Sequence, residues 1–355
     1  MRMKEYFADK KTKISAFLKT YLDSYREPFS EINVLGNDAV TRLYDFAVQG
    51  KMIRGGLVSL GHDLFAGGRE RELTALGGAL ELLQSALLIH DDIMDRDFSR
   101  RGHPSLFYQY AGLAEEWKLS EPYHTGESLG ICAGDIAFFL AFDIIGTVDL
   151  EPDKRAEIFA LTAKELSYVG VAQMVDVVYG VGGQIPTPED VMRLYRYKTG
   201  RYTFSLPLLI GGIAAGRDGK IIETLESLGM ALGTIFQIKD DELGLFGEEE
   251  KLGKPIGSDI REGKKTLHYL SLLEKLTEEE LKLVQNIVGN REANTEDITR
   301  VRELMYKYDI PEEIRRIVDG IVKTAETYID RLTDTRSEVQ EVLVQLLEHS
   351  VQRTR

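Results

Sequence analysis

Apolar residues recur at helical spacing along most of the chain, and they predict long amphipathic helices. Leu73, Leu76, Leu80, Leu83 and Leu87 repeat every three or four residues, the period of a helix face turned toward a core. Strand signals are scarce, because glycine and proline fall between long helical runs instead of at short regular intervals. The pattern predicts an all-α protein, with helices over 5–25, 72–97, 153–180 and 220–246 and further amphipathic helices over 266–350.

Interruptions of the pattern predict where these helices begin and end. A loop is expected at 36–38, with a helix from Ala39 toward Gly50. The polar stretch 111–127 is expected to be an excursion between helices, either a mobile flap or a surface insertion. The run from Gly180 to Pro188 is expected to interrupt the helices, and Thr187-Pro188 at its end is the signal that starts the next helix. No repeat or composition shift marks a boundary, so one domain over 1–355 is predicted.

Carboxylates continue the apolar stripe at the end of the helix predicted over 72–97. Counting on by four from Leu87 gives Asp91 and then Asp95, and Asp92 flanks the same face. Inward-pointing carboxylates need a cationic partner, because burying an unpaired charge costs several kcal/mol. Aspartates at this spacing suit Mg²⁺, which binds through one or two carboxylates and substrate phosphates. Arg100 and Arg101 follow, with guanidinium groups suited to phosphate oxygens.

The alternative interpretation of such a cluster is a solvated acidic turn, the commoner meaning of DDxxD on its own. A second acidic cluster weakens that alternative. Asp240 continues the apolar stripe of the helix over 220–246, Asp241 lies beside it, and Gln237 lies one turn earlier. Two clusters of this kind predict a site for a metal-bridged polyphosphate.

Three further stretches are candidates for ligand binding, each with a plain structural alternative. Lys51 and Arg54 lie in GKMIRGG and suit one diphosphate, but they also fit a polar helix junction. Lys198 and Thr199 precede Gly200, where the helix is expected to unwind and expose a carbonyl and a hydroxyl; a packing kink is equally compatible. The charged loop 247–265, which contains Lys254, is either a cationic flap over phosphates or a solvated loop.

Composition excludes several classes of function. The chain has 355 residues and a net charge of −14, which argues against a nucleic-acid-binding surface but allows anionic substrates. Cys132 is the only cysteine, so no intrachain disulfide or thiolate metal cluster is expected. No apolar signal segment is seen at the start, and no run reaches about 20 apolar residues. The protein is predicted to be cytoplasmic, without a transmembrane segment.

With both acidic clusters placed, the sequence resembles the trans-isoprenyl diphosphate synthases, or polyprenyl synthetases, and within them the geranylgeranyl diphosphate synthases. The resemblance covers nearly the whole chain and rests on six motifs in the order of that family. They are GKMIRGG (50–56), LLQSALLIHDDIMDRDFSRRG (82–102), AGD (133–135), QMVD (173–176), YKTG (197–200) and FQIKDDELG through GKPIGSDIREGKKT (236–266).

The resemblance implies a single large helical bundle around a deep central cavity, the isoprenoid synthase fold, assembled as a homodimer. It implies condensation of isopentenyl diphosphate with an allylic diphosphate, assisted by three Mg²⁺ ions. The metal ligands carried over by position are Asp91, Asp92, Asp95, Asp240 and Asp241. The allylic diphosphate is expected on Arg100, Lys198 and Lys254, and isopentenyl diphosphate on Lys51, Arg54, Gln84 and Arg101. Thr199, Gln237 and the Lys198 carbonyl are expected to face the developing allylic cation, which makes Lys198, Thr199, Gln237 and Arg100 the catalytic set.

The sequence departs from the family pattern at two positions. Gly244 stands where many members have the third aspartate of the second motif, which weakens the expected metal site there. Gln84 replaces a histidine found in many bacterial members, and its amide can still donate to phosphate. Ala86 and Leu87 precede Asp91 where the family sets product length. The small Ala86 favours geranylgeranyl diphosphate or a longer product, unless another residue such as Phe138 closes the tunnel.

Three other functions remain as alternatives. A class I terpene cyclase shares the bundle and the first aspartate motif, but FQIKDDELG lacks the late Asn-Asp motif of that class. A catalytically silent partner of an active synthase is the second alternative, and the intact Asp91, Arg100 and Lys198 argue against it. A purely structural helical protein is the remotest.

Overall fold

The computed structural model describes residues 2–181, 185–247 and 257–352, and these residues confirm the all-α prediction. Apart from one hairpin of two-residue strands, the described elements are helices. They are α1 (Met3–Asp23), α2 (Arg26–Ile32), α3 (Val34–Val48), α4 (Ile53–Asp63), α5 (Glu70–Asp95), β1 (Ser99–Arg100), β2 (His103–Pro104), α6 (Leu106–Glu116), α7 (Pro122–Thr147), α8 (Pro152–Val181), α9 (Pro188–Leu194), a π-helix (Tyr195–Ser205), α10 (Leu206–Ala214), α11 (Gly219–Phe246), α12 (Ser258–Glu262), α13 (Leu267–Leu273), α14 (Glu278–Ile287), α15 (Thr295–Lys307), α16 (Ile310–Arg331) and α17 (Ser337–Val351).

The chain forms two compact units. The first unit contains Met1–Leu161, Pro207–Asp218 and Arg336–Val342, and the second contains Thr162–Leu206, Gly219–Thr335 and Leu343–Arg355. In the first unit α5 packs against α1, α4 and α7. In the second unit α11 packs against the π-helix and α16. Whether the chain behaves as a single domain stays a prediction.

Each unit has a central helix whose apolar stripe is buried as the periodicity predicted. In α5 the side chains of Leu76, Leu80 and Leu83 are fully or almost fully buried. In α11 the same holds for Leu225 and Leu232. Burying a leucine side chain contributes about 2 kcal/mol, so these stripes fix which face of each helix points inward. The acidic clusters at their carboxyl ends are oriented by this packing.

Two predicted loops are wrong. The segment 36–38 lies inside α3, which begins at Val34 because the Asn33 side chain accepts a hydrogen bond from the Leu35 N–H at 3.1 Å. The stretch 111–127 is no excursion, since α6 runs to Glu116 and α7 begins at Pro122. A Cβ at Gly126 would come within 2.5 Å of the Phe107 carbonyl oxygen. Small residues let α6 and α7 pack closely there, and the sequence pattern did not reveal that contact.

Other boundaries are confirmed. Helix α8 is continuous over Pro152–Val181. Helix α9 starts at the expected signal, with a capping box in which the Thr187 and Asp190 side chains each accept from the other residue's backbone N–H. The hairpin after α5 turns through Arg101 and Gly102, both with positive φ. It therefore presents two consecutive arginines beside the end of α5.

Three described helices are long and apolar enough to cross a membrane by length and composition alone: Glu70–Asp95, Pro122–Thr147 and Gly219–Phe246. The sequence-based prediction looked for an unbroken run of about 20 apolar residues and found none. A helix that is apolar on average can also contain a few polar residues, and these three helices are of that kind. The first and third of these helices carry the acidic clusters. The absence of a transmembrane segment therefore stays a prediction.

Candidate active site

The first acidic cluster is tied to the hairpin by Arg100. The Arg100 Nε donates to Asp92 Oδ1 at 2.6 Å, and its Nη2 forms an ion pair with the same oxygen. The same Nη2 lies 3.9 Å from carboxylate oxygens of Asp91 and Asp97. One guanidinium thus gathers three carboxylates from the end of α5 and the segment after it. Asp95, also on α5, is half-buried.

Asp92 is the buried carboxyl group of this cluster, and its pKa is shifted. Its side chain is fully buried, and burial raises the pKa of its carboxyl to about 6 even though Arg100 opposes the rise. Its Oδ2 atom is buried and has no hydrogen-bond partner among the described residues. An acceptor of this kind, beside the half-buried Asp91 and Asp95, fits a hard cation such as Mg²⁺.

A cationic group lies next to this cluster in the same unit. Arg101 lies close enough to Arg100, Arg54 and Glu81 to interact electrostatically with each of them. Burial, and then the neighbouring guanidinium groups, lowers the pKa of Arg101. The Arg101 guanidinium nitrogens lie 3.2 and 3.3 Å from the position of a Cβ on Gly50. Closely spaced guanidinium groups with one buried counter-charge suit an anion with several oxygens, such as a diphosphate.

Glu81 organises this group, although the sequence pattern did not predict it. Its carboxylate accepts a hydrogen bond from the Gly55 N–H at 2.8 Å, and burial raises its pKa while Arg54 opposes the rise. A Cβ on Gly55 would lie 3.1 Å from the Gly77 carbonyl oxygen, so glycines allow α4 and α5 to approach closely. A glutamate between Leu80 and Leu82 was the available signal, since buried acids need partners.

Lys51 and Gln84, the other predicted binding residues of the first unit, lie on or next to the helices that carry Arg54 and Glu81. Lys51 is exposed between α3 and α4 and precedes Met52, which has a positive φ. Gln84 is half-buried on α5, one turn after Glu81 and therefore on the same side of that helix. The first unit thus brings together Arg54, Arg101 and the first acidic cluster, with Lys51 and Gln84 on the elements that carry them.

The π-helix carries the predicted Lys198 and Thr199. A π-helix of 11 residues is long, because these helices mostly occur as single-turn bulges, frequently at functional sites. The expected departure from α-helical geometry is therefore present, but as a widened helix instead of an unwound one. Lys198 Nζ donates to Asp176 Oδ2, so the QMVD and YKTG motifs meet in the second unit.

A hydrogen-bonded chain joins the π-helix to the second acidic cluster. Thr199 Oγ1 donates to Gln237 Oε1 at 2.7 Å, and Gln237 Nε2 donates to Asp241 Oδ1 at 2.9 Å. The hydroxyl of Tyr195 donates to the other oxygen, Asp241 Oδ2. Burial, and then the nearby carboxylate of Asp259, raises the pKa of Asp241 to about 8. Asp240 is exposed beside it.

The structure gives a reason for the glycine, Gly244, that stands in place of the third aspartate of the second motif. A Cβ at Gly244 would lie 2.3 Å from Asp259 Oδ2, so any larger residue would collide with that carboxylate. Asp259 is buried and accepts a hydrogen bond from Lys264 Nζ at 3.2 Å.

The predicted cationic flap over 247–265 is only partly described, because Lys254 lies outside the described residues. Lys264 and Lys265 bond Asp259 and the Gly263 carbonyl, respectively.

Comparison with known proteins identifies the family. A model of the polyprenyl synthetase family matches residues 38–305. A geranylgeranyl diphosphate synthase from Saccharolobus solfataricus is 33% identical over 75% of this chain and 75% of that protein. One from Sulfolobus acidocaldarius is 32% identical over 90% of this chain and 93% of that protein. A crystal structure of geranylgeranyl pyrophosphate synthase from Corynebacterium glutamicum, complexed with isoprenyl diphosphate and magnesium, covers both chains completely with a TM-score of 0.91 at 27% identity.

The helical architecture and the match to this crystal structure define the protein as an enzyme with the all-α isoprenoid synthase fold. Within that class the chain belongs to the polyprenyl synthetase family, since the family model spans three quarters of its length. It is a trans-prenyltransferase that elongates prenyl chains. The recognised family, fold class and enzyme class are therefore confirmed.

Proposed function

We propose that the protein condenses isopentenyl diphosphate head-to-tail with an allylic diphosphate and yields geranylgeranyl diphosphate or a somewhat longer product. Relatives named geranylgeranyl diphosphate synthase support the product class. The observation that carries the proposal is the pairing, within the first unit, of a carboxylate cluster containing an unsatisfied Asp92 oxygen with the neighbouring guanidinium groups of Arg54 and Arg101. Metal and diphosphate sites placed side by side suit a diphosphate-dependent reaction.

The carboxylates of both clusters would hold Mg²⁺. Asp91, Asp92 and Asp95 supply the ligands of the first unit, and Asp240 and Asp241 those of the second. Three ions are proposed. When bound, the metal neutralises the diphosphate and stabilises its departure. Asp240 is the more exposed of the second pair, whereas both oxygens of Asp241 accept hydrogen bonds from the protein.

The cationic side chains divide between the two substrates. In this proposal Lys51, Arg54, Gln84 and Arg101 bind isopentenyl diphosphate, and Arg100, Lys198 and Lys254 bind the allylic diphosphate. As the allylic carbon becomes positive, Thr199, Gln237 and the Lys198 carbonyl direct oxygen atoms toward it. The apolar walls of the proposed central cavity keep water from the cation until the isopentenyl double bond attacks. The departed diphosphate accepts the proton that is then lost.

A homodimer is the proposed assembly. Helix α7 exposes Ile131 and Phe139, with Phe139 72% exposed, and an apolar surface of this kind suits contact with a second copy. Replacing Phe139 with aspartate should shift the protein toward monomer in sedimentation analysis; an unchanged oligomer would exclude this face. The protein is further proposed to be one domain acting in the cytoplasm, without a transmembrane segment or nucleic-acid partner.

The test is direct. Purified protein is incubated with Mg²⁺, isopentenyl diphosphate and each allylic primer, and products are sized by chromatography after dephosphorylation. Alcohols of 20 or more carbons are expected. A cyclic hydrocarbon would instead establish the terpene cyclase alternative, and the absence of any product would favour the silent-partner alternative.

A further inference from the structure

A buried hydrogen-bond chain in the second unit ends on a residue that the proposed mechanism does not use. The Leu267 N–H donates to the Tyr195 hydroxyl oxygen at 3.3 Å, and that hydroxyl donates to Asp241 Oδ2. Gln237 Nε2 donates to Asp241 Oδ1 at 2.9 Å, and Thr199 Oγ1 donates to Gln237 Oε1 at 2.7 Å. Tyr195 and Asp241 are both buried. We call these five residues the Tyr195 relay.

The relay has a direction, which follows from its hydrogen bonds. Gln237 presents its NH₂ group to Asp241 Oδ1 and its amide oxygen to Thr199. An amide oxygen can only accept hydrogen bonds. The Thr199 hydroxyl then has to donate its single hydrogen to that oxygen. Its two lone pairs are left to face whatever lies on the other side of Thr199.

This direction matters for the reaction. Under the proposed function, Thr199 faces a carbon that becomes positively charged, and an oxygen lone pair stabilises that charge whereas a hydroxyl hydrogen would oppose it. We propose, resting on that function, that Tyr195 is a positioning residue that fixes the Asp241 carboxylate so that the Thr199 oxygen is presented as an acceptor. Tyr195 acts through Asp241 and Gln237 and touches no substrate itself.

The placement of Tyr195 suits this role. It is the first residue of the π-helix and lies four residues before Thr199. Its hydroxyl is held by the backbone N–H of Leu267, the first residue of α13, whose start is fixed by the Thr266 cap. A backbone donor at a capped helix start cannot swing away. The hydroxyl is thereby aimed at Asp241 Oδ2, and the carboxylate has one orientation in which both oxygens are satisfied.

The first test removes the hydroxyl and keeps the ring. Tyr195→Phe should lower kcat roughly tenfold while KM for both diphosphates stays within about twofold, because the loss concerns the transition state. Tyr202→Phe removes another buried tyrosine hydroxyl from the same π-helix, outside the relay, and should leave kcat within about twofold of wild type. An unchanged kcat in Tyr195→Phe overturns the proposal.

A second measurement separates positioning from general support of the fold. In a Thr199→Val background the relay has lost its end point, so adding Tyr195→Phe should lower kcat by less than about twofold further. A purely structural role would give the same factor in both backgrounds. Equal factors would therefore overturn the proposal even if Tyr195→Phe alone is slow.

A third measurement does not depend on activity. If the hydroxyl bonds Asp241, the Tm decreases caused by Tyr195→Phe and Asp241→Asn should be clearly non-additive in the double variant. Additive decreases would show that the bond is absent and would overturn the relay. A wild-type protein that condenses no allylic diphosphate would overturn the proposed function instead, so the two failures are read from separate experiments.

Discussion

Glu81 shows what a single residue contributes beyond its place in a pattern. It lies within a leucine-rich stretch of α5, yet it accepts a hydrogen bond from the Gly55 N–H and lies near Arg54 and Arg101. The sequence predicted Arg54 and Arg101 because arginines beside glycines suit phosphate. It did not predict Glu81 or Tyr195, because their partners come from other helices and depend on tertiary packing.

Arg54 gives the residue-scale test of the substrate assignment. Removing its guanidinium in Arg54→Ala should raise KM for isopentenyl diphosphate roughly tenfold or more, with a smaller change for the allylic substrate, because only the first loses a charged hydrogen-bonding partner. Steady-state kinetics with each substrate varied in turn measures this. Arg71→Ala, at an exposed position of α5, is the control. A selective effect on the allylic substrate would show that the two sites are exchanged.

His268 gives a residue-scale prediction for pH. Its side chain is fully buried, neither ring nitrogen has a hydrogen-bond partner among the described residues, and burial lowers its pKa to about 4. Since the unfolded histidine has a pKa near 6.5, the unfolded chain binds the extra proton between these values. Stability should therefore fall as pH decreases from about 6.5 to 4, by up to roughly 3 kcal/mol from this residue.

The pH prediction is checked by urea unfolding at several pH values. His268→Leu should lose less stability than wild type between about pH 6.5 and 4.5, whereas His124→Leu, at an exposed histidine, should behave like wild type. Parallel pH profiles for His268→Leu and wild type would contradict the prediction.

Among the elements, the π-helix is held by contacts that no periodicity reveals. Arg201 Nε and Nη2 donate to the two oxygens of Glu165 at 2.7 and 2.6 Å, and Nη2 lies 2.9 Å from Glu226 Oε1. A Cβ on Gly233 would lie 2.4 Å from the Gly200 Cα, so the π-helix and α11 meet backbone to backbone. The sequence indicated an irregularity at Gly200 but not its form, which these contacts stabilise.

Arg201→Met tests this element. Glu165 is almost fully buried, so removing its partner leaves an uncompensated charge and should cost about 3–5 kcal/mol of unfolding free energy. Arg193→Met breaks an exposed pair with Glu189 and should cost less than about 1 kcal/mol. Denaturant unfolding compares the two variants. Similar losses of unfolding free energy in both variants would show that the Arg201–Glu165 ion pair does not hold the π-helix.

Helix α5 also bears on product length. Ala86 is fully buried in a cluster with residues of α3, α6 and α7, which are Leu43, Phe46, Leu106, Tyr110, Ala133 and Ala137. We expect Ala86→Phe to shorten the main product, because its ring would fill space that the growing tail needs. It should also cost about 1–3 kcal/mol through overpacking.

Ala79→Phe is the matched control for Ala86→Phe, since Ala79 is equally buried on α5 but lies two turns earlier. It should cost similar stability and leave the product unchanged. Chromatographic sizing of the products measures both variants. An unchanged product spectrum from an active Ala86→Phe enzyme would remove Ala86 from the determinants of chain length.

At the scale of the whole molecule, the two acidic clusters belong to different compact units. Their presence at the ends of α5 and α11 was predictable, because each follows an apolar helical stripe. The inward-pointing members were not, since Asp92 and Asp241 are buried whereas Asp240, which was placed on the stripe, is exposed. The partners that tune them were not, since Arg100 reaches Asp92 through a hairpin and Tyr195 reaches Asp241 through a π-helix. The central claim is that both clusters serve one condensation reaction.

Single-turnover condensation by rapid quench tests that claim most directly. Asp91→Ala changes only the first unit and Asp240→Ala only the second, and Asp153→Ala, at an exposed position of α8, is the control. Each cluster variant should lower the rate of condensation by about a hundredfold or more, with helical content by circular dichroism unchanged. A near-normal rate in either Asp91→Ala or Asp240→Ala would contradict the account.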